Sequence, residues 1–281
     1  MSDFLYSLLI MNVTVLLSCM HQRDNSIIYK SNIQTDCVII NQCDIDSIEH
    51  FTFINKAGKV CLAKFISSTQ RGVSKSRNMA IQHASTADIC LICDDDEWLD
   101  DNYEKTISSA YEDNSDADFI SFALIRKDIK KRYPLNRKKM GFKDIFSTSS
   151  VQITFRRNKV IDKKILFDEH MGSGTGNGAG EENKFMFDCK KCKLNMYYVP
   201  AIIATINPGS SSWFRGYNED YFINHGWSSR RVLGSTISLL YIIYFVITHY
   251  KLYKKFLSMF DALILELKGW RQIKDLSSAK K

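Results

Sequence analysis

Asp94, Asp95, Asp96 and Glu97 form an unbroken acidic run. Four carboxylates this close repel one another, and a hard divalent cation held by oxygen donors offsets their charge. Mg²⁺ or Mn²⁺ takes one or two carboxylates and completes its shell with water and substrate phosphates, so a nucleoside diphosphate is the natural third party. The competing reading is an acidic turn whose carboxylates cap a helix near Leu99 to Ala110. A second pair, Glu181-Glu182, follows five glycines at alternate positions from Gly172 to Gly180. Carboxylates are favoured electrostatically at a helix start, so capping alone accounts for this pair and a catalytic role competes with it.

The elements that must hold these groups are legible as patterns. Residues 87–93 are a compact apolar run of the kind buried on both faces of a parallel sheet. The acidic run then falls at that strand's carboxyl end, the edge at which open α/β sheets bind ligands. Upstream, residues 74–84 have a helical pattern with Ser74 as N-cap. Further strands are expected at 13–18, 38–40, 50–54, 60–66, 117–122, 150–156, 196–200 and 202–205. Strands alternating with helices predict an α/β fold with a mainly parallel central sheet. The Gly-rich stretch predicts a loop that is flexible when empty. It matches neither Gly-x-Gly-x-x-Gly nor a P-loop, and a helix is expected from Glu181 through Cys192.

Arg71-Gly72-x-Ser74-x-x-Arg77-Asn78 at a helix start, followed after a strand by Asp94-x-Asp96, resembles the central signature of family 2 glycosyltransferases, the inverting sugar-nucleotide enzymes of the GT-A fold. The resemblance implies that Asp94 faces the nucleoside or ribose, that Asp96 reaches the metal with Asp94 beside it, and that Arg77 lies near the nucleotide. It also assigns Ser18, Asn41, Arg71, Asn78 and Asp95 to donor binding and sets the loop of residues 20–25 beside the nucleobase. Asn41 stands where the family commonly has a base-binding aspartate, and it keeps hydrogen-bonding capacity without the charge. Inverting transfer needs a general base for the acceptor hydroxyl, which the family carries in a Glu-Asp pair at a helix start. Glu181-Glu182 is similar to that pair with Glu in place of Asp; Glu182 is the base by position and Glu181 the alternative.

The implied activity is metal-dependent, inverting hexosyl transfer from a nucleoside-diphosphate sugar, with uridine the family's expectation, to a hydroxyl of a glycan. Capsular polysaccharide and O-antigen enzymes, which build on a polyprenyl-diphosphate carrier, are the nearest type. Gln-x-x-Arg-Trp, typical of processive synthases, does not occur, which favours one sugar per encounter. Two other readings stand beside this one. An apolar strand ending in Asp-x-Asp also suits a metal-dependent phosphatase or phosphotransferase, and Asn41 with Glu182 motivates a nucleotide- or membrane-binding module without catalysis.

At 281 residues, 45% apolar and 25% charged, the chain suits one α/β domain with an appendage: an extension over 1–11, a GT-A domain over 12–215 and a helical region over 216–281. Its eight cysteines read as reduced thiols of a cytoplasmic protein. Cys90 and Cys93 are three apart on a strand and point to opposite faces, while Cys189 and Cys192 lack a second pair for zinc. The net charge of +7 suits a nucleotide, a polyprenyl diphosphate or an anionic membrane. The basic segment 127–139 carries no nucleic-acid motif, so no nucleic-acid partner is expected. Trp213, in a loop over 207–213, is a candidate sugar-stacking platform.

The apolar stretch 232–247 is flanked by Arg230, Arg231, Lys251, Lys254 and Lys255. It reads as an interfacial membrane helix, a buried or homo-oligomer-forming helix, or a short span. A last helix over 252–270 presents Phe256, Met259, Phe260, Leu263, Ile264 and Leu267 as one apolar face. The expected location is the cytoplasm, at the inner face of the cell membrane.

Overall fold

A computed structural model describes residues 11–127, 132–206 and 216–272. Most of the N-terminal extension, the middle of the basic segment and the loop carrying Trp213 lie outside the described residues. Among the described residues, ten strands share one sheet: β1 (Val13–Met20), β2 (Cys37–Gln42), β3 (Ser47–Ile54), β4 (Val60–Ser68), β5 (Ile89–Asp94), β6 (Glu97–Leu99), β7 (Phe119–Arg126), β8 (Lys138–Lys139), β9 (Ile153–Arg156) and β10 (Met196–Ile206). The helices are α1 (Ile27–Lys30), α2 (Val73–His83), α3 (Tyr103–Asp113), α4 (Phe142–Ile145), α5 (Arg157–Asp162), α6 (Glu181–Lys191), α7 (Glu219–Thr248), α8 (Tyr250–Tyr253) and α9 (Met259–Arg271).

The sheet runs β3-β4-β2-β1-β5-β9-β7-β10-β6, with β8 paired to β10. Its half β4-β2-β1-β5 is parallel, as is β7 with β10. β9 enters antiparallel between β5 and β7, so the whole sheet is mixed. The parallel strands are those whose sequences read as unbroken apolar runs, because helices cover both faces: β2 is buried along its length and β1 from Val13 to Cys19. The edge strand β3 is mostly exposed and carries Glu49 and His50, a charged edge that discourages pairing with another chain. Inside, Tyr103 Oη is 2.7 Å from Thr35 Oγ1 and accepts the Gln34 N–H at 3.1 Å, which ties α3 to the segment entering β2.

Four local expectations are corrected. The acidic run leads into the three-residue strand β6, antiparallel to the end of β10, and helix α3 starts only at Tyr103. The two closing strands are one, β10, which passes through Pro200; register shifts around Ile202 accommodate a residue that has no N–H to give the ladder. Ser74 is inside α2 rather than before it, and its hydroxyl donates to Met171 O at 2.8 Å. The last helix is broken into α8 and α9, and Ser258 caps the second by accepting the Asp261 N–H at 3.1 Å.

Contacts divide the described residues into two units, one within 11–71, 75–166 and 188–206, the other within 72–74, 167–187 and 216–272. In the second unit, α7 is a hairpin rather than one rod. Gly234 takes φ 75° and ψ 178°, and the arms on either side of it meet: the His225 ring is 4.0 Å from Phe245 and that of Tyr221 6.3 Å. Residues 219–233 and 235–248 each rise only about 21 to 23 Å, short of a hydrocarbon core of about 30 Å. α9 lies across the first arm so closely that a Cβ at Gly226 would stand 2.0 Å from Glu266 O, and one at Gly269 1.8 Å from Ile223 O.

The crossing also sets the facing of α9. Ala262, Glu266 and Gly269 are its buried residues, while Phe260 is 71% and Ile264 48% exposed. Small residues permit backbone contact, and Glu266 is held inside by His225 Nδ1 at 2.7 Å, while Leu263 packs against the core and Phe260 and Ile264 face outward. Gly269→Ala is expected to force the two helices apart at a cost of about 3 kcal/mol. A thermal melt of the variant against the unaltered chain measures it.

Candidate active site

The first unit builds its site from level strand ends. In register, Ser18 of β1 lies beside Ile40 of β2 on one side and Asp94 of β5 on the other. Parallel pairing therefore brings three carboxyl ends to one edge, with the acidic run immediately past it. Helix α2 delivers Arg77 to this edge. Its side chain is 2% exposed, and Nη2 reaches Asp94 Oδ1 at 3.0 Å and Oδ2 at 3.2 Å. One turn position earlier, Ser76 donates to Ser18 Oγ at 2.9 Å, so the helix is tied to β1 as well as β5. Ser150, ahead of β9, adds a donor to Asp94 Oδ2 at 3.3 Å.

The four acids of the run do not share one environment. Burial, and then the charge of Asp94, push the carboxyl of Asp95 up; burial with Asp94 and Asp95 does the same to Asp96. Asp95 is also hydrogen-bonded to the backbone of Met20, at the end of β1. Glu97 points inward on β6 and is fully buried, and burial followed by Asp94 raises its carboxyl well above the usual range. Its Oε2 is 3.4 Å from the Asp94 backbone nitrogen.

No cluster of three or more His, Cys, Asp or Glu side chains suited to a metal occurs among the described residues. The donor set nonetheless fits a hard cation that draws its remaining ligands from substrate. Asp94 and Asp96 are carboxylates of the kind such an ion takes, and Asp95 and Asp96 are pushed up first by burial and then by the neighbouring carboxyls.

Three other residues named from the sequence sit near these strand ends. Asn41 is 1% exposed, and its amide is occupied by the chain itself: Oδ1 accepts the Gln22 N–H at 2.9 Å and Nδ2 donates to Gln22 O at 3.0 Å. It thereby pins the loop that follows β1, which His21 also joins through its N–H to Gln42 O at 3.1 Å. Arg71 turns its guanidinium onto Cys43 O at 2.7 Å and Thr69 O at 2.9 Å, with Asp44 at 2.6 Å, and so knots the ends of β2 and β4. Asn78 is buried on α2. Sequence reasoning missed Ser76, Ser150 and Gln22, because each acts through a partner more than fifteen residues away.

The second unit holds the other acidic pair. Where composition predicts a loop that is loose when empty, the structure has one that bonds to itself. Gly172 N–H donates to Gly178 O at 3.1 Å, Thr175 Oγ1 to Gly172 O at 2.7 Å, and Asn177 Nδ2 to His170 O at 2.9 Å. Gly172 is required: φ is 93°, and a Cβ there would stand 2.7 Å from Val73 and 2.9 Å from the Glu181 carboxyl. Glu181 is 4% exposed and accepts the Gly180 N–H at 3.2 Å, whereas Glu182 is half-buried on the same first turn of α6. A salt bridge anchors the base of the loop to α7, with Arg231 Nε and Nη2 on the two oxygens of Asp168.

The family described as glycosyl transferase family 2 matches residues 34–176. Among solved structures, Staphylococcus aureus TarS residues 1–349 in complex with UDP-GlcNAc is similar at a TM-score of 0.59 and 13% identity, over 92% of this chain and 78% of that one. The same fragment with UDP has a TM-score of 0.56 at 13% identity, over 92% and 81%. A further structure of TarS residues 1–349 has 0.55 at 14%, over 88% and 74%. No curated protein matches the sequence. At these identities the likeness is one of fold, a GT-A α/β sheet followed by helices.

The Asp168 salt bridge has a pH signature. Burial opposes the charge, but hydrogen bonds from Arg231 and from the His170 N–H outweigh it and hold the carboxyl below its usual range. A depressed carboxyl stabilises the fold above its unfolded pKa of about 3.9 and loses that contribution as pH falls through the folded value. Arg231→Met is expected to lower stability by about 2 kcal/mol near neutral pH. In urea melts, the gap from the unaltered chain should close as the pH is taken below the usual carboxylate range.

Proposed function

The chain belongs to glycosyl transferase family 2, and from that premise we propose that it moves a hexosyl group from a nucleoside-diphosphate sugar to a hydroxyl of a glycan acceptor, with inversion at the anomeric carbon. The observation that carries the reading is the meeting of Ser18, Asp94, Arg77 and the loop pinned by Asn41 at one sheet edge, with Asp95 and Asp96 just beyond. That edge offers a pinned loop for a base, a carboxylate for ribose hydroxyls, and carboxylates that need a cation of the kind a diphosphate brings. The TarS structures hold UDP-GlcNAc and UDP, which favours a uridine nucleotide here. The acceptor is a lipid-linked glycan of the capsular or O-antigen type, and the enzyme works on the cytoplasmic side of the membrane.

Asp94 and Asp96 would hold the divalent cation, Mg²⁺ or Mn²⁺, which when bound supplies positive charge to the departing diphosphate. Asp94 is kept in place by Arg77 and Ser150, so its oxygens are oriented before the donor arrives. Glu182 takes the proton of the acceptor hydroxyl as that oxygen forms its bond to the anomeric carbon, and the bond from that carbon to the diphosphate oxygen breaks on the opposite face. Its neighbour Glu181 is buried against Gly172 and supports the turn. The division of labour rests on exposure, since only Glu182 keeps a partly open carboxylate on that turn.

Thermal melting with nucleoside diphosphates and their sugars, each with Mn²⁺ and with EDTA, tests the donor half of the proposal. A uridine nucleotide at about a hundred times its dissociation constant is expected to raise the melting temperature by about 5 °C with Mn²⁺, and Asp96→Ala to abolish the metal-dependent part. Glu182→Gln is expected to keep that shift while transfer falls by about a thousandfold. Unchanged turnover in this variant would remove Glu182 from the role, and no nucleotide shift in folded protein would remove the donor assignment.

A further inference from the structure

The helical unit carries a surface that sugar transfer does not use. Along the second arm of α7, Ser238, Ile242, Phe245 and Val246 face inward, and Ile237, Leu240, Tyr244 and Ile247 face out at 56%, 68%, 58% and 56% exposure. Their spacing of three, four and three residues makes one stripe on the helix surface. The neighbouring segment adds Phe256 at 67% and Phe260 at 71% exposure. A soluble monomer shows isolated apolar side chains but seldom so continuous a row.

The charge pattern identifies what meets it. Residues 221–260 contain no Asp or Glu and five Lys or Arg. Arg231 is bound to Asp168, and Arg230 is stacked on Trp270 and donates to its carbonyl. Lys251, Lys254 and Lys255 remain exposed at the end of the stripe. A second copy of this chain would set cation against cation, since the segment has no acid to pair with. An anionic bilayer complements both features, with acyl chains for the stripe, headgroup phosphates for the lysines and the interface for the Tyr244 ring. The hairpin at Gly234 excludes a single 30-residue span, although the α7 sequence is long and apolar enough for one. Each arm is too short alone, and the first begins with Glu219 and Asp220.

We propose that the outer face of the second α7 arm, with the lysines that follow it, lies in the plane of an anionic phospholipid surface and holds the protein there as a peripheral, non-spanning enzyme. The stripe enters the headgroup boundary, and the lysines add an attraction that salt weakens. The docking surface is independent of which donor or acceptor the protein uses, because none of its residues belongs to the strand-end site or to the loop before α6.

Flotation of the purified full chain with vesicles tests it, using phosphatidylcholine alone and phosphatidylcholine mixed with phosphatidylglycerol. The chain is expected to float with the anionic vesicles, less so as salt is raised, and poorly with the neutral ones. Lys251→Gln, Lys254→Gln and Lys255→Gln combined should weaken partition by about a hundredfold. Leu240→Ser with Tyr244→Ser should weaken it at every salt concentration. All of these side chains are exposed, so unchanged melting curves are expected for both variants and certify their folds. Absence of binding to the anionic vesicles, or binding that neither variant diminishes, overturns the proposal. So does a solution dimer that Leu240→Ser dissociates, since a second copy would then own the face.

Discussion

The buried guanidinium of Arg77 is the interaction on which the strand-end site depends. An ionised group taken out of water must be paired and hydrogen-bonded or it destabilises the fold by several kcal/mol. Arg77, 2% exposed, is paired with Asp94 at the mouth of the sheet. The pair does two things together. It holds α2 against the ends of β1 and β5, alongside the Ser76 to Ser18 hydrogen bond, and it fixes the Asp94 carboxyl beside Asp95 and Asp96. A single nitrogen, Nη2, is shared between the two carboxylate oxygens of Asp94. The further consequence is asymmetry within the acidic run. Asp94 is paired with Arg77, while Asp95 and Asp96 are raised by burial and by their acidic neighbours.

How much of this was legible in the sequence follows from the range of the interactions. The apolar strands of the parallel half could be read because burial on both faces writes itself as an unbroken run, and the acidic turn at the end of β5 then fell at the binding edge by topology alone. The role of Asn41 was not legible. A polar residue at a strand end looks like a ligand-binding group, yet its two amide positions are taken by the backbone of Gln22, nineteen residues away. β6 was hidden for the same reason: three residues have no pattern of their own, and their strand state is conferred by the far end of β10. Local propensity gave a helix where a distant partner imposed a strand.

The C-terminal helices were misread in a more instructive way. Amphipathic reasoning assigns the apolar row of a helix to the core, which assumes that burial of apolar area dominates at every contact. At α9 the decisive quantity is distance of approach. Gly226 and Gly269 let two backbones touch, and that geometry selects the face bearing Ala262, Gly269 and the Glu266 to His225 pair as the inner one. Leu263 still packs inward, and Phe260 and Ile264 are left outside. Gly234 was equally invisible, since one glycine inside an apolar helix pattern costs about 1 kcal/mol if it stays helical and nothing in the spacing announces that it reverses the chain.

Glu181 and Glu182 show how two identical side chains acquire different surroundings. Both sit in the first turn of α6, where the helix N-terminus favours carboxylates equally. What separates them is the loop in front. Gly172, at a positive φ open to it because it lacks a Cβ, brings its backbone against the Glu181 carboxyl and closes that group from water, and the Gly180 N–H satisfies one of its oxygens. A carboxylate so enclosed is a structural acceptor with little room to receive a proton from a substrate. Glu182, one residue on and turned about 100° around the helix axis, is left partly open. The alternating glycines therefore do more than form a loop: their hydrogen bonds and the Asp168 to Arg231 anchor hold the turn in which one of two adjacent acids is buried and the other half-buried.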